Sequence, residues 1–147
     1  MLALEDVEVG EPGPGEARVR HTAIGLNFID TYHRTGLYPL ERFPAGLGLE
    51  AAGVIEKRSG DGVDDLAIGQ RVAYATGPVG AYTEARVLPA RFLVPLPDGV
   101  SDEAAAAGLL KGMTVEYLIR RTHAVSAGET VLWHAAAGGL VSSRRSG

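Results

Sequence analysis

The sequence predicts a mainly β chain, a small barrel with irregular connections, that passes into helices and then into one further buried strand. Three observations predict it. Twenty Gly and eight Pro in 147 residues require many tight turns. Short stretches alternate apolar and polar residues with the period of half-buried strands. At Pro97-Asp98-Gly99 that period changes, and from Ser101 onward it is helical.

Residues 2–9 alternate weakly through Leu4, Val7 and Val9 and read as an edge strand. The turn Gly10-Glu11-Pro12-Gly13-Pro14-Gly15 closes it, because its prolines cannot join a ladder. Residues 16–23 place Ala17, Val19, His21 and Ala23 on one face of a second strand. Asn27 is placed to cap a short helix over 28–34, which Gly36 ends. A loop broken by Pro39, Pro44, Gly46 and Gly48 follows. Strands are expected at 51–57, 71–76, 80–88 and 92–95. In the helical part, 101–124, Leu110, Met113, Thr114, Tyr117 and Leu118 form one apolar stripe, and Gly108 and Gly112 are expected to split it into two helices. Residues 129–134 read as a buried strand entering the glycine turn Ala135-Ala136-Ala137-Gly138-Gly139.

A hydrophobic fraction of 46% and a charged fraction of 22% are those of a globular chain with a real core, which removes a disordered reading. The net charge of −4 gives no global attraction to nucleic acid or to an anionic membrane. No apolar run approaches the roughly 18 residues of a membrane span. The N-terminus lacks a basic start and an apolar stretch, so no secretory signal is expected. With no Cys, disulfides and thiolate metal sites are both excluded, which fits a reducing cytoplasm.

Three stretches carry the chemistry. They are Asn27-Phe28-Ile29-Asp30-Thr31-Tyr32-His33-Arg34-Thr35-Gly36-Leu37-Tyr38-Pro39, then residues 43–55 with Gly48-Leu49-Glu50 at their centre, then residues 110–139. In that order they closely resemble the zinc-independent quinone oxidoreductases, the zeta-crystallin-like branch of the medium-chain dehydrogenase/reductase superfamily. The resemblance implies a GroES-like, partly open β-barrel as catalytic domain over residues 1–100. Linking helices and the start of a Rossmann domain for NADPH would occupy 101–139, and 140–147 would be a divergent tail. It implies hydride transfer from NADPH to a small-molecule quinone. Zinc-dependent relatives use a Cys before the first helix and a Gly-His-Glu run. Here Asn27 and Leu49 stand in those places, neither is a zinc donor, and no zinc is expected.

Without a Lewis acid, an acceptor oxygen that gains charge needs hydrogen-bond donors. The resemblance assigns that role to Asn27, Tyr32 and Tyr38 as catalytic residues. Phe28, Ile29, Asp30, Thr31 and Tyr32, with Asn27, match the segment that contacts the cofactor; Thr114 and Tyr117 match positions near the dinucleotide. Gly138 and Gly139 match a turn that lets backbone N–H groups approach a pyrophosphate. Taken singly these residues have ordinary readings: a capping Asn, half-buried Tyr side chains, and Thr114 and Tyr117 as core. Lys111 reads as a solvated surface group or a phosphate contact. His21, His33, His123 and His134 show no metal-ligand spacing.

Against the resemblance, Leu-Val-Ser-Ser-Arg-Arg from Leu140 replaces the expected continuation, and Met1 falls inside the expected first hairpin, so the family's strand ahead of Leu2 is expected to be missing. The expectation is therefore a truncated member, inactive by itself, in which the family's homodimer interface is absent with the rest of the cofactor domain. Two alternatives stay open: a non-enzymatic GroES-like binding module, and an alkene or enoyl-thioester reductase of the same superfamily.

Overall fold

The computed structural model describes residues 2–134 and 138. Five strands form one antiparallel sheet: β1 (Glu16–Gly25), β2 (Glu50–Ser59), β3 (Arg71–Tyr74), β4 (Ala85–Pro89) and β5 (Val94–Pro95). Its order is β4-β1-β2-β3-β5, so the sheet is curled but open. Helix α1 (Phe28–Thr35) follows β1 and α2 (Asp102–Glu116) follows β5. The open sheet with its helices agrees with the expected fold class.

Alternation decides which face each side chain takes. Ala17 and Val19 of β1, Ala51 and Ile55 of β2, and Val72 and Tyr74 of β3 point to one side. There they meet Val63, Leu66, Leu88 and Leu93 in the main core. Ala52 and Ala73 point to the other side, where they meet Ala105 and Ala106 of α2. Alanines on both surfaces let the helix lie close to the sheet. The β1 register slips between His21 and Ala23, a bulge that inserts Thr22. Ala23 therefore joins the α2 side and not the face of Ala17 and Val19 as its spacing predicted.

Several expected elements differ. Residues 2–9 form no strand, and Leu2, Leu4 and Val7 lie exposed with nothing to pair against. Of 80–88 only the second half is strand, because Gly80, Ala81 and Tyr82 turn their N–H groups to the carbonyls of Leu47 and Gly48 instead. Residues 90–92 form a 3₁₀ turn before β5. Gly108 and Gly112 do not split the helix: α2 runs through both, then widens into a π-helical turn over Tyr117–Thr122. The apolar stripe also faces the wrong way for a core, since Met113, Tyr117 and Leu118 are exposed while Ala105, Ala106 and Val115 are buried. Residues 129–134 are not strand, and Val131 and Leu132 are exposed, for the sheet offers them no parallel neighbour.

Candidate functional site

The helix α1 is built as its sequence predicts. Asn27 holds extended backbone at its start and Gly36, at φ +80°, ends it in the left-handed region. Asp30 in the first turn accepts a hydrogen bond from the Asn27 backbone N–H at 2.9 Å. The Asn27 carboxamide completes the capping box toward the Asp30 backbone without a hydrogen bond to it. It is taken by two charged groups from distant parts of the chain.

Those groups are Glu50 and Lys111. Asn27 Nδ2 donates to Glu50 Oε2 at 2.7 Å, and Lys111 Nζ donates to Asn27 Oδ1 at 2.9 Å. Glu50 is fully buried, and its other oxygen accepts from the Leu110 backbone N–H at 2.7 Å. Lys111 Nζ lies 3.8 Å from Glu50 Oε2, close enough to balance its charge. The amide is thus oriented unambiguously, oxygen to the cation and nitrogen to the anion.

Close approach makes this arrangement possible. Gly25, the last residue of β1, faces Ala106 O of α2 and the Glu50 side chain; a Cβ there would lie 2.1 Å from the former and 2.7 Å from the latter's Oε2. At its N-terminus α2 is held a second time. Asp102 Oδ1 accepts from Arg71 Nε and Nη2 at 2.9 and 2.6 Å, and Oδ2 accepts from Thr22 Oγ1 at 2.5 Å. These bonds hold the Asp102 carboxyl below its ordinary range, the Thr22 hydroxyl first and Arg71 next.

Asp30 is buried as well. Besides the Asn27 N–H, its Oδ2 accepts from the Tyr82 hydroxyl at 2.8 Å, while buried Oδ1 has no partner among the described residues. The Tyr82 ring lies on Gly48, whose φ of +89° and whose contact with the ring both exclude a Cβ. Burial, then the Asp30 carboxylate, push the Tyr82 hydroxyl far above its ordinary pKa, so it remains a donor.

Beyond these buried groups α1 presents aromatic rings. Phe28 and Tyr32 meet edge to face with centroids 5.3 Å apart, and Tyr32 and Tyr38 meet at the same distance. Phe28 and Tyr38 are exposed, Tyr32 half-buried, so the cluster forms a ledge open to a flat ligand. Ile29 is half-buried and Thr31 exposed, its hydroxyl bonded to Phe28 O.

The structure therefore brings Asn27, Asp30, Tyr32 and Tyr38 together at the start of α1 and its following turn. Thr114 is half-buried on α2, one turn beyond Leu110, whose carbonyl it bonds at 2.8 Å. Tyr117 is exposed in the π-helical turn, not core. Gly138 is an exposed bend, and Gly139 lies outside the described residues. Sequence reasoning missed Glu50, Lys111 and Tyr82 as members of the site. The available signal for Glu50 was a lone carboxylate in the apolar run Leu49-Glu50-Ala51-Ala52. Among the described residues no cluster of His, Asp and Glu could hold a metal ion. No helix among them is long and apolar enough to cross a membrane.

Residues 13–98 match the family of the alcohol dehydrogenase GroES-like domain. The chain is 56% identical over 140 residues to a quinone oxidoreductase of Pseudomonas aeruginosa, covering 95% of this chain and 43% of that one. A 2-haloacrylate reductase of a Burkholderia species is 50% identical over 141 residues, 92% of this chain and 42% of that one. Among solved structures, Escherichia coli quinone oxidoreductase complexed with NADPH superposes with a TM-score of 0.89 at 45% identity, over 93% of this chain and 42% of that one. The chain thus spans less than half the length of the relatives it matches.

Proposed function

The chain belongs to the alcohol dehydrogenase GroES-like domain family, and from that premise we propose that it forms the acceptor side of an NADPH-dependent quinone oxidoreductase that works without zinc. The observation that carries this reading is the oriented Asn27 carboxamide beside an open aromatic ledge. The relatives named quinone oxidoreductase support it, and so does the one complexed with NADPH. The match over 13–98 supports a catalytic domain at 1–100; the reading adds linking helices and the beginning of a cofactor domain at 101–139 and a tail at 140–147. We place the protein in the cytoplasm on its lack of Cys.

The residues present fit the nicotinamide end of the cofactor. Buried Asp30 Oδ1 is an acceptor without a partner, suited to an amide or hydroxyl N–H or O–H. Phe28, Ile29, Thr31 and Tyr32 of α1 are assigned to the same cofactor, with Thr114 of α2 and Tyr117 of the π-helical turn that follows it. Gly138 and Gly139 are assigned to the pyrophosphate by their place in the glycine turn. When bound, the reduced nicotinamide supplies a hydride. Tyr32 and Tyr38 hold the flat acceptor by their rings, and their hydroxyls with the Asn27 amide donate to the oxygen that gains charge. Asn27 does so from a fixed position, since Glu50 and Lys111 determine its orientation before any ligand arrives.

A second reading is favoured by the Burkholderia relative: reduction of an activated alkene, whose carboxyl or carbonyl oxygen would take the place of the quinone oxygen. One experiment separates the two. Residues 1–134 are fused to the remainder of the Pseudomonas aeruginosa quinone oxidoreductase, and NADPH oxidation is followed with 1,4-benzoquinone and with 2-chloroacrylate. Turnover of the benzoquinone is expected. Preference for the alkene would favour the second reading, and turnover of neither would refute both. The 147-residue polypeptide without the fusion is expected to show no measurable turnover, because the contacts that position the rest of the nucleotide are not among its described residues.

A further inference from the structure

Lys111 is the single basic residue of α2, and it lies in the middle of the helix where no terminal carbonyl would attract it. Its side chain is one-quarter exposed. Of its three N–H donors, one is given to Asn27 Oδ1 at 2.9 Å. Glu50 Oε2 at 3.8 Å is beyond hydrogen-bond reach and contributes charge only. Among the described residues the ammonium therefore keeps donors for a further oxygen. It keeps them one residue from Phe28, where the aromatic ledge begins.

We propose that Lys111 is a catalytic residue that binds the anionic oxygen of a phenolate-like ligand, the form a quinone takes after accepting hydride. This rests on the acceptor-side reading above and adds to it the charged group that reading lacks. An acceptor of the quinone class gains one hydride, with its electron pair, from the reduced nicotinamide and becomes a hydroquinone monoanion. Solvent supplies the proton that completes the hydroquinone, and Lys111 keeps its own. Glu50 is the positioning residue: it is buried, it faces the ammonium, and through the Leu110 N–H it fixes the helix turn from which Lys111 projects. A lysine that merely neutralised Glu50 would share this geometry, so the test must read a ligand's charge.

The probe is 4-nitrophenol, a planar ring whose ionisation is visible by absorbance, titrated against pH with and without the chain. Bound to the wild-type chain, the phenol is expected to ionise at least about one pH unit lower than when free. Lys111→Arg should keep that shift. Lys111→Met should lose it while retaining the ring. Since Lys111→Met leaves a buried carboxylate unbalanced, the double variant Glu50→Gln/Lys111→Met provides the same comparison with both charges removed. A wild-type complex with unshifted ionisation, or a shift that survives in the double variant, would overturn this role for Lys111 and leave the aromatic ledge standing. If the probe fails to bind the wild-type chain at all, the ledge fails with it.

Discussion

Lys111 Nζ and Asn27 Oδ1, 84 residues apart in sequence, meet at 2.9 Å. The contact joins the middle of α2 to the start of α1 across the end of β2, where Glu50 lies beneath both. It turns a capping asparagine into an oriented donor.

Truncating Glu50 tests how far this junction depends on one carboxylate. Glu50→Ala strands the Lys111 ammonium, the Asn27 amide and the Leu110 N–H together, and is expected to lower stability by about 3–5 kcal/mol. Glu50→Gln keeps an acceptor and should cost about 1–3 kcal/mol. Urea unfolding of both variants measures the difference; equal losses would mean that the charge is irrelevant.

Gly25→Ala examines the close approach. The added methyl would collide with Ala106 O and Glu50, so α2 must move away from β1. A loss of about 1–3 kcal/mol is expected. Gly62→Ala, where a Cβ meets nothing but φ is +82°, gives by contrast the cost of left-handed backbone, which Gly25 does not carry.

Tyr82→Phe removes the hydroxyl that Asp30 accepts and leaves that buried carboxylate with only the Asn27 N–H. About 1.5–3 kcal/mol should be lost. Ligand binding at α1 should weaken as well, because Asp30 and the first turn are held by this bond. Unchanged stability would show that solvent replaces the hydroxyl freely.

Acid should weaken the fold in two separable steps. His21 Nδ1 donates to Thr83 O at 2.7 Å, so Nε2 is the acceptor that takes the Tyr74 hydroxyl at 2.9 Å. Burial, opposed by the Thr83 bond and aided by Arg86, holds the His21 pKa below its ordinary 6.5. The unfolded chain therefore takes up this proton first. Stability from His21 is complete above pH 6.5 and declines as pH falls from there to the lower folded value. Asp102, ordinarily 3.8 and lowered in the fold, contributes in the same sense at more acid pH, below 3.8. Urea midpoints against pH should show the first decline vanish in His21→Gln and the second in Asp102→Asn.

What could be read from sequence was local. Asn27 and Gly36 bound α1 because a cap and a left-handed terminator act within one turn. The sheet's period was visible in Ala51, Ile55, Val72 and Tyr74. What failed depended on distant contacts. Gly108 and Gly112 are poor helix formers, yet Ala105 and Ala106 dock on the sheet and Glu50 holds Leu110, so the helix continues through them. Large side chains in α2 suggested a buried stripe, but the helix lays Ala105, Ala106 and Leu109 on the sheet surface of Ala52 and Ala73 and leaves Met113 exposed. Val131 and Leu132 have strand character and no strand to join among the described residues. In the site, Asn27 was recognised and its two charged partners were not, since nothing in spacing places residues 50 and 111 together.

The proposed function requires the cofactor's nicotinamide end to meet the chain at the Asn27 junction. Titrating NADPH into the ¹⁵N-labelled chain and following its amide resonances tests this directly. Weak, fast-exchanging shifts confined to α1, the turn to Tyr38 and the middle of α2 are expected. Shifts that saturate tightly at another surface, with α1 unmoved, would contradict it.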